Sequence, residues 1–149
     1  MTLAIKEAKN AQEHDDIPIG CVIIYNDQII ASQHNKVELH SDSTAHAEML
    51  AIREAQEKIG HKHLLNCAMY ITLEPCSMCA GAIVLSRIEK LFVATKDPKT
   101  GACGSVLNIV DNDSLNHRCS VEFGLCELES ATLIKNFFKQ IRQRNGRRN

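Results

Sequence analysis

The sequence predicts an α/β fold in which one β-sheet carries helices on both of its faces. An opening hairpin is followed by alternating helical and extended patterns, and this order is typical of a layered α/β protein. No repeat, low-complexity segment or linker interrupts the 149 residues, so we expect one domain over 1–149. Apolar residues make up 44% and charged residues 23% of the chain, as in ordinary globular proteins.

The first half of the chain predicts a helix, a hairpin and a second helix. In order, we predict a helix over 2–14, strands over 19–25 and 28–32, a polar loop over 32–43 and a helix that begins near Ser43 or Thr44. The two strands are rich in β-branched residues, and the Asn-Asp pair between them is a turn signal. Gly60 is suited to end the second helix, because glycine readily takes the left-handed conformation of helix C-termini.

The second half alternates strands with helices. We predict strands over 68–73, 90–95 and 119–124, helices over 77–87 and 125–144, and a short helix over 105–110. Turn-forming residues over 97–104 predict a loop. In the last helix, Leu128, Leu133, Phe137 and Ile141 recur at helical spacing, so we expect them to face the core.

The charge and the apolar runs exclude a membrane span and a uniformly basic protein. The formal net charge is −1, and the apolar runs are much shorter than the roughly 20 residues that span a bilayer. The N-terminus lacks the pattern of a secretory signal, so we expect a cytoplasmic protein. After Glu129 the chain has no acidic residue. The basic residues of this last segment, which can hold phosphates locally, are Lys135, Lys139, Arg142, Arg144, Arg147 and Arg148.

Two short motifs at predicted helix starts carry groups that bind metal ions. Cys76 and Cys79 lie three residues apart at the start of one helix, so their sulfur atoms face the same way. The positive end of the helix dipole favours thiolates, which are the form that binds a metal. His46 and Glu48 lie at the start of another helix, where both side chains can reach one space. The other five cysteines are scattered, without the spacing of a disulfide framework.

One imidazole and two thiolates predict a zinc site of the catalytic kind. Nitrogen and sulfur ligands in tetrahedral geometry favour zinc. Three protein ligands leave a fourth position for water, whose pKa zinc lowers towards neutrality. We therefore predict that His46, Cys76 and Cys79 bind the metal ion and that Glu48, which does not bind it, carries protons.

Further motifs extend over nearly the whole chain. They are "IPIG" at 17–20, "HNK" at 34–36, "DSTAHAEM" at 42–49, "TLEPCSMCAGAI" at 72–83, "DPKTGACGS" at 97–105, "NHR" at 116–118 and "FF" at 137–138. The pattern H-x-E followed by P-C-x-x-C is the signature of zinc nucleobase deaminases. With the other motifs, it makes the sequence similar to the bacterial tRNA-specific adenosine deaminases of the cytidine/deoxycytidylate deaminase superfamily. The last three motifs separate the tRNA enzymes from relatives that act on free bases or nucleosides.

The resemblance implies a three-layer α/β/α cytidine-deaminase-like fold around a five-stranded mixed sheet. It also implies a homodimer with one Zn²⁺ per subunit, which converts the wobble adenosine in the anticodon loop of an arginine tRNA to inosine. His46, Cys76 and Cys79 match the zinc ligands, and Glu48 matches the proton shuttle. Asn35 matches a residue that hydrogen-bonds the flipped nucleotide.

The remaining substrate positions are also carried over from the resemblance. Ile17 and Pro18 resemble the wall against which the adenine rests. Asp97 and Lys99 match a loop beside the anticodon backbone, where a 2′-hydroxyl distinguishes RNA from DNA. Phe138 and the basic residues after it resemble a helix that closes on the anticodon loop.

Other interpretations of the same residues stay open. Asn35 and Asp97 are also turn formers, and Asp42 is also suited to cap the next helix. The chain departs from the family in having little sequence before the first helix, so we expect either a short first helix or a truncated start. It also departs in having Ser43 where proline is common, so we expect the loop before His46 to differ in stiffness.

Alternative functions are also open. The nearest is a guanine deaminase, or another free-base or nucleoside deaminase, with the same zinc site. A non-catalytic RNA-binding subunit with structural zinc would not need Glu48. A zinc-stabilised scaffold would leave the basic C-terminal segment unexplained.

Overall fold

The sheet has five strands of mixed direction. A computed structural model of the chain describes residues 1–146. The strands are β1 (Gly20–Tyr25), β2 (Gln28–His34), β3 (Cys67–Leu73), β4 (Lys90–Thr95) and β5 (Ser120–Phe123). Their order in the sheet is β2-β1-β3-β4-β5. β1 is antiparallel to both of its neighbours, whereas β3, β4 and β5 are parallel.

Helices cover both faces of this sheet. The α-helices of the described residues are α1 (Thr2–Ala11), α2 (Val37–His40), α3 (Ala47–Ile59), α4 (Ser77–Leu85) and α5 (Glu127–Gly146), and a 3₁₀-helix over Gln12–His14 follows α1. α1 packs on β1 and β2 and contacts α5, while α3 packs on β1 and β2 from the other side and contacts α4. The structure therefore has three layers, α/β/α, and confirms the predicted fold class.

Each face of the sheet buries its own apolar side chains. On the α1 face, a Cβ atom at Gly20 would lie 2.0 Å from the backbone oxygen of Ala4, so only glycine allows the helix to approach this closely. The core on the other face is larger. Its largest fully buried side chains are Ile23, Leu64, Met69, Ile71, Ile83, Ile88, Leu91, Val93 and Val110. Each such side chain stabilises the fold by about 1.5–3 kcal/mol relative to an exposed position.

The segment between β2 and α3 differs from its prediction. β2 continues to His34, and α2 lies in the stretch that we predicted to be a loop. α3 begins at Ala47, not near Ser43 or Thr44. Asp42 explains the later start, because its Oδ1 accepts hydrogen bonds from the N–H and hydroxyl of Thr44 and holds them in a turn.

Two predictions in the second half are wrong. Residues 105–110 do not form a helix, because the N–H groups of Val106 and Leu107 both donate to the oxygen of Gly101. Leu128 does not face the core, since 82% of it is exposed at the first turn of α5. Phe137 does face the core, as predicted. Within residues 1–146, no helix is both long and apolar enough to cross a membrane.

The carboxyl ends of β3 and β4 lie side by side and position the candidate site. The N–H of Glu74, directly after β3, donates to the oxygen of Thr95 at the end of β4. Three residues separate the end of β3 at Leu73 from the start of α4 at Ser77. Such an edge is where open α/β sheets bind ligands.

Candidate active site

The two predicted motifs meet at the amino termini of α3 and α4. His46 is the N-cap of α3 and Cys76 is the N-cap of α4, both with an extended backbone conformation. Glu48 lies in the first turn of α3 and Cys79 in the first turn of α4. The positive ends of two helix dipoles therefore lie at one place, which favours thiolates there.

Three donor atoms lie close enough together to hold one metal ion. His46 Nδ1 is 3.7 Å from Cys76 Sγ and 3.6 Å from Cys79 Sγ. All three atoms lie within 4.8 Å of one another. Tetrahedral zinc, with its usual bond lengths to nitrogen and sulfur, would separate such ligands by roughly 3.5 Å. The donor set and its spacing therefore fit Zn²⁺.

The two thiols differ in how they hold protons. A hydrogen bond with Cys79 lowers the pKa of Cys76 to about 4, with a further contribution from His46. The same bond and burial raise the pKa of Cys79 well above its ordinary value. The hydrogen bond with Cys76 also raises the pKa of His46. Cys76 is thus a thiolate at neutral pH, and a bound cation would displace the remaining proton from Cys79.

Glu48 is the buried acid of the site. Only 3% of this residue is exposed, and its Oε2 has no hydrogen-bond partner within the described part of the chain. Burial raises the pKa of Glu48 to about 7, although the positive charge of His46 works against this. A carboxyl group with a pKa near neutrality is suited both to accept and to return a proton.

Asn35 fixes the start of α3. Its Oδ1 accepts a 2.9 Å hydrogen bond from the N–H of Ala47, the residue between His46 and Glu48. Its own backbone N–H donates to the oxygen of Ile19. Asn35 is buried but still lines the neighbouring cavity, so its side-chain nitrogen is the group available to a ligand.

A cavity of about 950 Å³ extends from these groups, and most of the predicted substrate contacts line it. Those that line it are Asn35, Ile17, Asp97, Lys99 and Phe138. Pro18 is buried and does not line it, although its chain neighbours Ile17 and Ile19 do. The adjacent phenylalanines divide between two environments, since Phe137 is buried and Phe138 is 40% exposed. The volume is at the upper end of the roughly 300–1,000 Å³ found for ligand sites.

Asp97 forms a turn in the loop that follows β4. Its Oδ1 accepts a 2.8 Å hydrogen bond from the N–H of Lys99, and its Oδ2 accepts one of 2.6 Å from the hydroxyl of Thr100. Partial burial acts in the opposite direction, but these bonds lower the pKa of Asp97 overall. The carboxylate therefore sets the position of Lys99 at the cavity, in addition to lining the cavity itself.

The predicted basic residues of the C-terminal segment lie in different places. Lys135 and Arg144 line the cavity, whereas Lys139 and Arg142 are exposed and do not line it. Arg147 and Arg148 lie outside the described residues. Two of the four described basic residues of this segment therefore lie at the cavity.

Two adjacent aspartates contribute to the cavity and were not predicted. Asp16 is buried and accepts hydrogen bonds from the N–H groups of Glu38 and Leu39, which holds α2 in place. Asp15 accepts a 2.6 Å hydrogen bond from Arg144, so the segment before β1 is tied to α5. Acidic residues are common between elements, so the pair at 15–16 gave no distinctive signal.

Known proteins are similar to this chain in sequence and in fold. The family model described as MafB19-like deaminase matches residues 1–142. The tRNA-specific adenosine deaminase of Bacillus subtilis (strain 168) is 44% identical over 144 residues, which cover 97% of this chain and 89% of the relative. That of Aquifex aeolicus (strain VF5) is 46% identical over 142 residues, which cover 95% and 93%. A solved structure from studies of A-to-I editing by tRNA:A34 deaminases at the wobble position has a TM-score of 0.86 at 41% identity, and the match covers 89% of this chain and 96% of that one.

Proposed function

The chain belongs to the MafB19-like deaminases and to the tRNA-specific adenosine deaminases, and on this premise we propose that it converts the wobble adenosine of a tRNA anticodon to inosine with zinc as its cofactor. It is a hydrolytic deaminase, and the reaction adds water and releases ammonia. The observation that supports the proposal most is the convergence of His46, Cys76 and Cys79 on one point beside the buried Glu48.

We assign one Zn²⁺ per subunit to this point. His46, through Nδ1, and the sulfur atoms of Cys76 and Cys79 would hold it. Zinc bound there lowers the pKa of a water molecule towards neutrality and so supplies a nucleophile.

Glu48 moves the protons of the reaction. Its carboxylate accepts a proton from the attacking water, because the unpaired Oε2 of Glu48 has no competing hydrogen bond from the described residues. The same group returns this proton to the purine ring, then takes the proton of the added hydroxyl group and passes it to the leaving amine, so that ammonia departs. A pKa of Glu48 near 7 suits both directions of transfer.

Asn35, Ile17 and Phe138 bind the substrate nucleotide. An anticodon-loop base is poorly stacked, so its extrusion costs little. The side-chain nitrogen of Asn35 donates a hydrogen bond to the extruded nucleotide. Ile17 contacts the base, and Pro18 supports this wall from behind, because Pro18 is buried next to Ile17. Phe138 contacts the anticodon loop from α5.

Asp97 and Lys99 bind the backbone of the anticodon loop. The ammonium group of Lys99 is suited to pair with a phosphate, and the Asp97 loop contacts the ribose beside it.

We propose an arginine tRNA as the substrate. We also propose that residues 1–149 form one domain and that two copies act as a homodimer in the cytoplasm.

Ammonia release from separate substrates tests this function against its nearest alternative. Purified protein with zinc is incubated with an anticodon stem-loop that has adenosine at the first anticodon position, with guanine and with cytidine. We expect ammonia from the stem-loop and none from the other two. Ammonia from guanine alone would assign the site to a guanine deaminase.

A further inference from the structure

We propose that Glu74 is a positioning residue that holds the loop over 97–105 in the conformation that contacts the tRNA. This inference rests on the proposed function. Glu74 lies between the end of β3 and Cys76, within the motif at 72–83. Glu74 is 2% exposed, so its carboxylate is removed from solvent and needs partners.

The carboxylate of Glu74 accepts four hydrogen bonds, all from this loop. Its Oε1 accepts from the N–H of Cys103 at 3.0 Å and from the N–H of Ser105 at 3.1 Å. Its Oε2 accepts from the N–H of Asp97 at 2.9 Å and from the hydroxyl of Ser105. One side chain therefore holds both ends of the loop.

The middle of the loop also lies against Glu74 and the residue that follows it. A Cβ atom at Gly101 would lie 2.4 Å from the carboxyl carbon of Glu74 and 2.5 Å from the oxygen of Asp97. The N–H of Ala102 donates to the oxygen of Pro75 at 2.8 Å. The loop is therefore packed against the chain immediately before Cys76, which is a candidate metal ligand.

These contacts connect the position of the RNA-facing groups to Glu74. The backbone of Asp97 is held by Glu74, and the side chain of Asp97 in turn holds the N–H of Lys99. A carboxylate can accept all four bonds, whereas an amide has one accepting oxygen and an NH₂ group that would meet N–H donors. Glu74→Gln therefore loosens the loop without changing the side chain's size.

The effect should fall on RNA binding and not on the chemical step. Glu74 contributes no ligand atom to the cluster of His46, Cys76 and Cys79 that could hold the metal ion. An interaction that stabilises the bound substrate and the transition state equally affects only binding, so its loss raises KM and leaves kcat unchanged. A purely structural role would instead lower the folded or metal-loaded fraction, and with it the apparent kcat, at unchanged KM.

The test compares Glu74→Gln with the wild-type protein on the anticodon stem-loop. We measure kcat, KM, the dissociation constant of the RNA, zinc content and Tm. We expect KM and the dissociation constant to rise about tenfold, because part of the binding free energy must then order the loosened loop. We expect kcat and zinc content to stay at the wild-type level.

Two further variants make the result specific. Ser105→Ala removes only the hydroxyl donor, and Ser105 is exposed, so this variant is suited to test the idea if Glu74→Gln does not fold. We expect its KM to rise by roughly two- to fivefold, since it loses a single bond while the three backbone donors remain. Glu122→Gln makes the same chemical change at an exposed position on β5 and should leave KM unchanged.

An unchanged KM and dissociation constant in folded Glu74→Gln, or in Ser105→Ala if the former does not fold, would overturn the inference. A fall in kcat with loss of zinc at constant KM would overturn it too, because Glu74 would then support the metal site. Wild-type protein that binds the stem-loop without deaminating it would contradict the proposed function. In that case the dissociation constants of the variants still decide the role of Glu74.

Discussion

Asn35 and Ala47 are joined by a hydrogen bond in which the Ala47 N–H donates to Asn35 Oδ1 at 2.9 Å. Ala47 is the first residue of α3 and separates the candidate metal ligand His46 from the candidate proton carrier Glu48. The acceptor end of the Asn35 amide therefore sets the helix start, while the donor end is available to the cavity. One side chain connects the geometry of the metal site to substrate binding.

Substitutions at Asn35 should separate these two functions. Asn35→Asp keeps an oxygen for the Ala47 N–H but its carboxylate cannot donate to the nucleotide, so we expect kcat/KM to fall about 10–100-fold. Asn35→Ala also leaves the buried N–H without a partner and should lower the unfolding free energy by about 1–3 kcal/mol. Urea unfolding and steady-state kinetics measure the two effects. Wild-type stability of Asn35→Ala would contradict the structural role of the oxygen.

Glu48→Gln should abolish proton transfer while the fold and the metal are retained. The amide has nearly the same size but can neither accept nor return a proton, so we expect turnover to fall by at least roughly 10²–10⁴-fold. Zinc content and Tm should match the wild-type protein. Glu122→Gln, at an exposed position, serves as the control. A Glu48→Gln enzyme that kept most of its turnover would remove Glu48 from the proposed role.

Replacement of either cysteine of the donor set should release the metal. We expect Cys76→Ser and Cys79→Ser to weaken zinc binding by more than the roughly 10–100-fold cost of losing an outer-shell partner. Tm should fall as well, because a metal that binds only the folded protein stabilises it. Elemental analysis after dialysis and thermal unfolding measure both effects. Cys126→Ser, on an exposed residue, should change neither, and full zinc content in Cys79→Ser would contradict the ligand assignment.

Glu7 should make stability depend on pH. Burial acts to raise the pKa of Glu7, but hydrogen bonds with His34 at 2.7 Å and with the Ser32 hydroxyl at 2.9 Å lower it overall. A carboxyl group whose pKa is lowered in the folded protein stabilises the fold at pH values above its ordinary pKa of 4.5. This contribution is lost as the pH falls through the folded-state pKa.

Glu7→Gln measures this contribution. We expect its unfolding free energy in urea to lie about 1 kcal/mol below wild type at pH 6. The difference should shrink steadily as the pH falls below 4.5, because the wild-type carboxylate then takes up a proton. A difference that stays constant down to pH 3 would contradict the lowered pKa. Glu13→Gln, at an exposed position, is the control.

The strands and the donor set could be predicted because their signals are local. β-branched runs and a two-residue turn identify the hairpin. Spacings of two residues, between His46 and Glu48, and of three residues, between Cys76 and Cys79, identify the two motifs of the site. The start of α3 could not be predicted in this way, because Asp42 competes for Thr44 with a turn. The predicted helix over 105–110 does not form because the N–H groups of Val106 and Leu107 both donate to the oxygen of Gly101, a turn that helical periodicity does not reveal.

Glu74 shows the limit of sequence reasoning most clearly. A single glutamate after a strand has no periodic pattern, and its four donors lie 23 to 31 residues further along the chain. Only the folded chain brings them to one carboxylate. Pro18 shows the same limit in the other direction, because its neighbours line the cavity and it does not.

The most direct test is sequencing of an arginine tRNA with the anticodon ACG after exposure to the purified, zinc-loaded protein. The account predicts inosine at the first anticodon base and unchanged adenosines elsewhere in the molecule. The Glu48→Gln variant should leave the first anticodon base as adenosine under the same conditions. Adenosine that persists at this base with fully zinc-loaded wild-type protein would contradict the account.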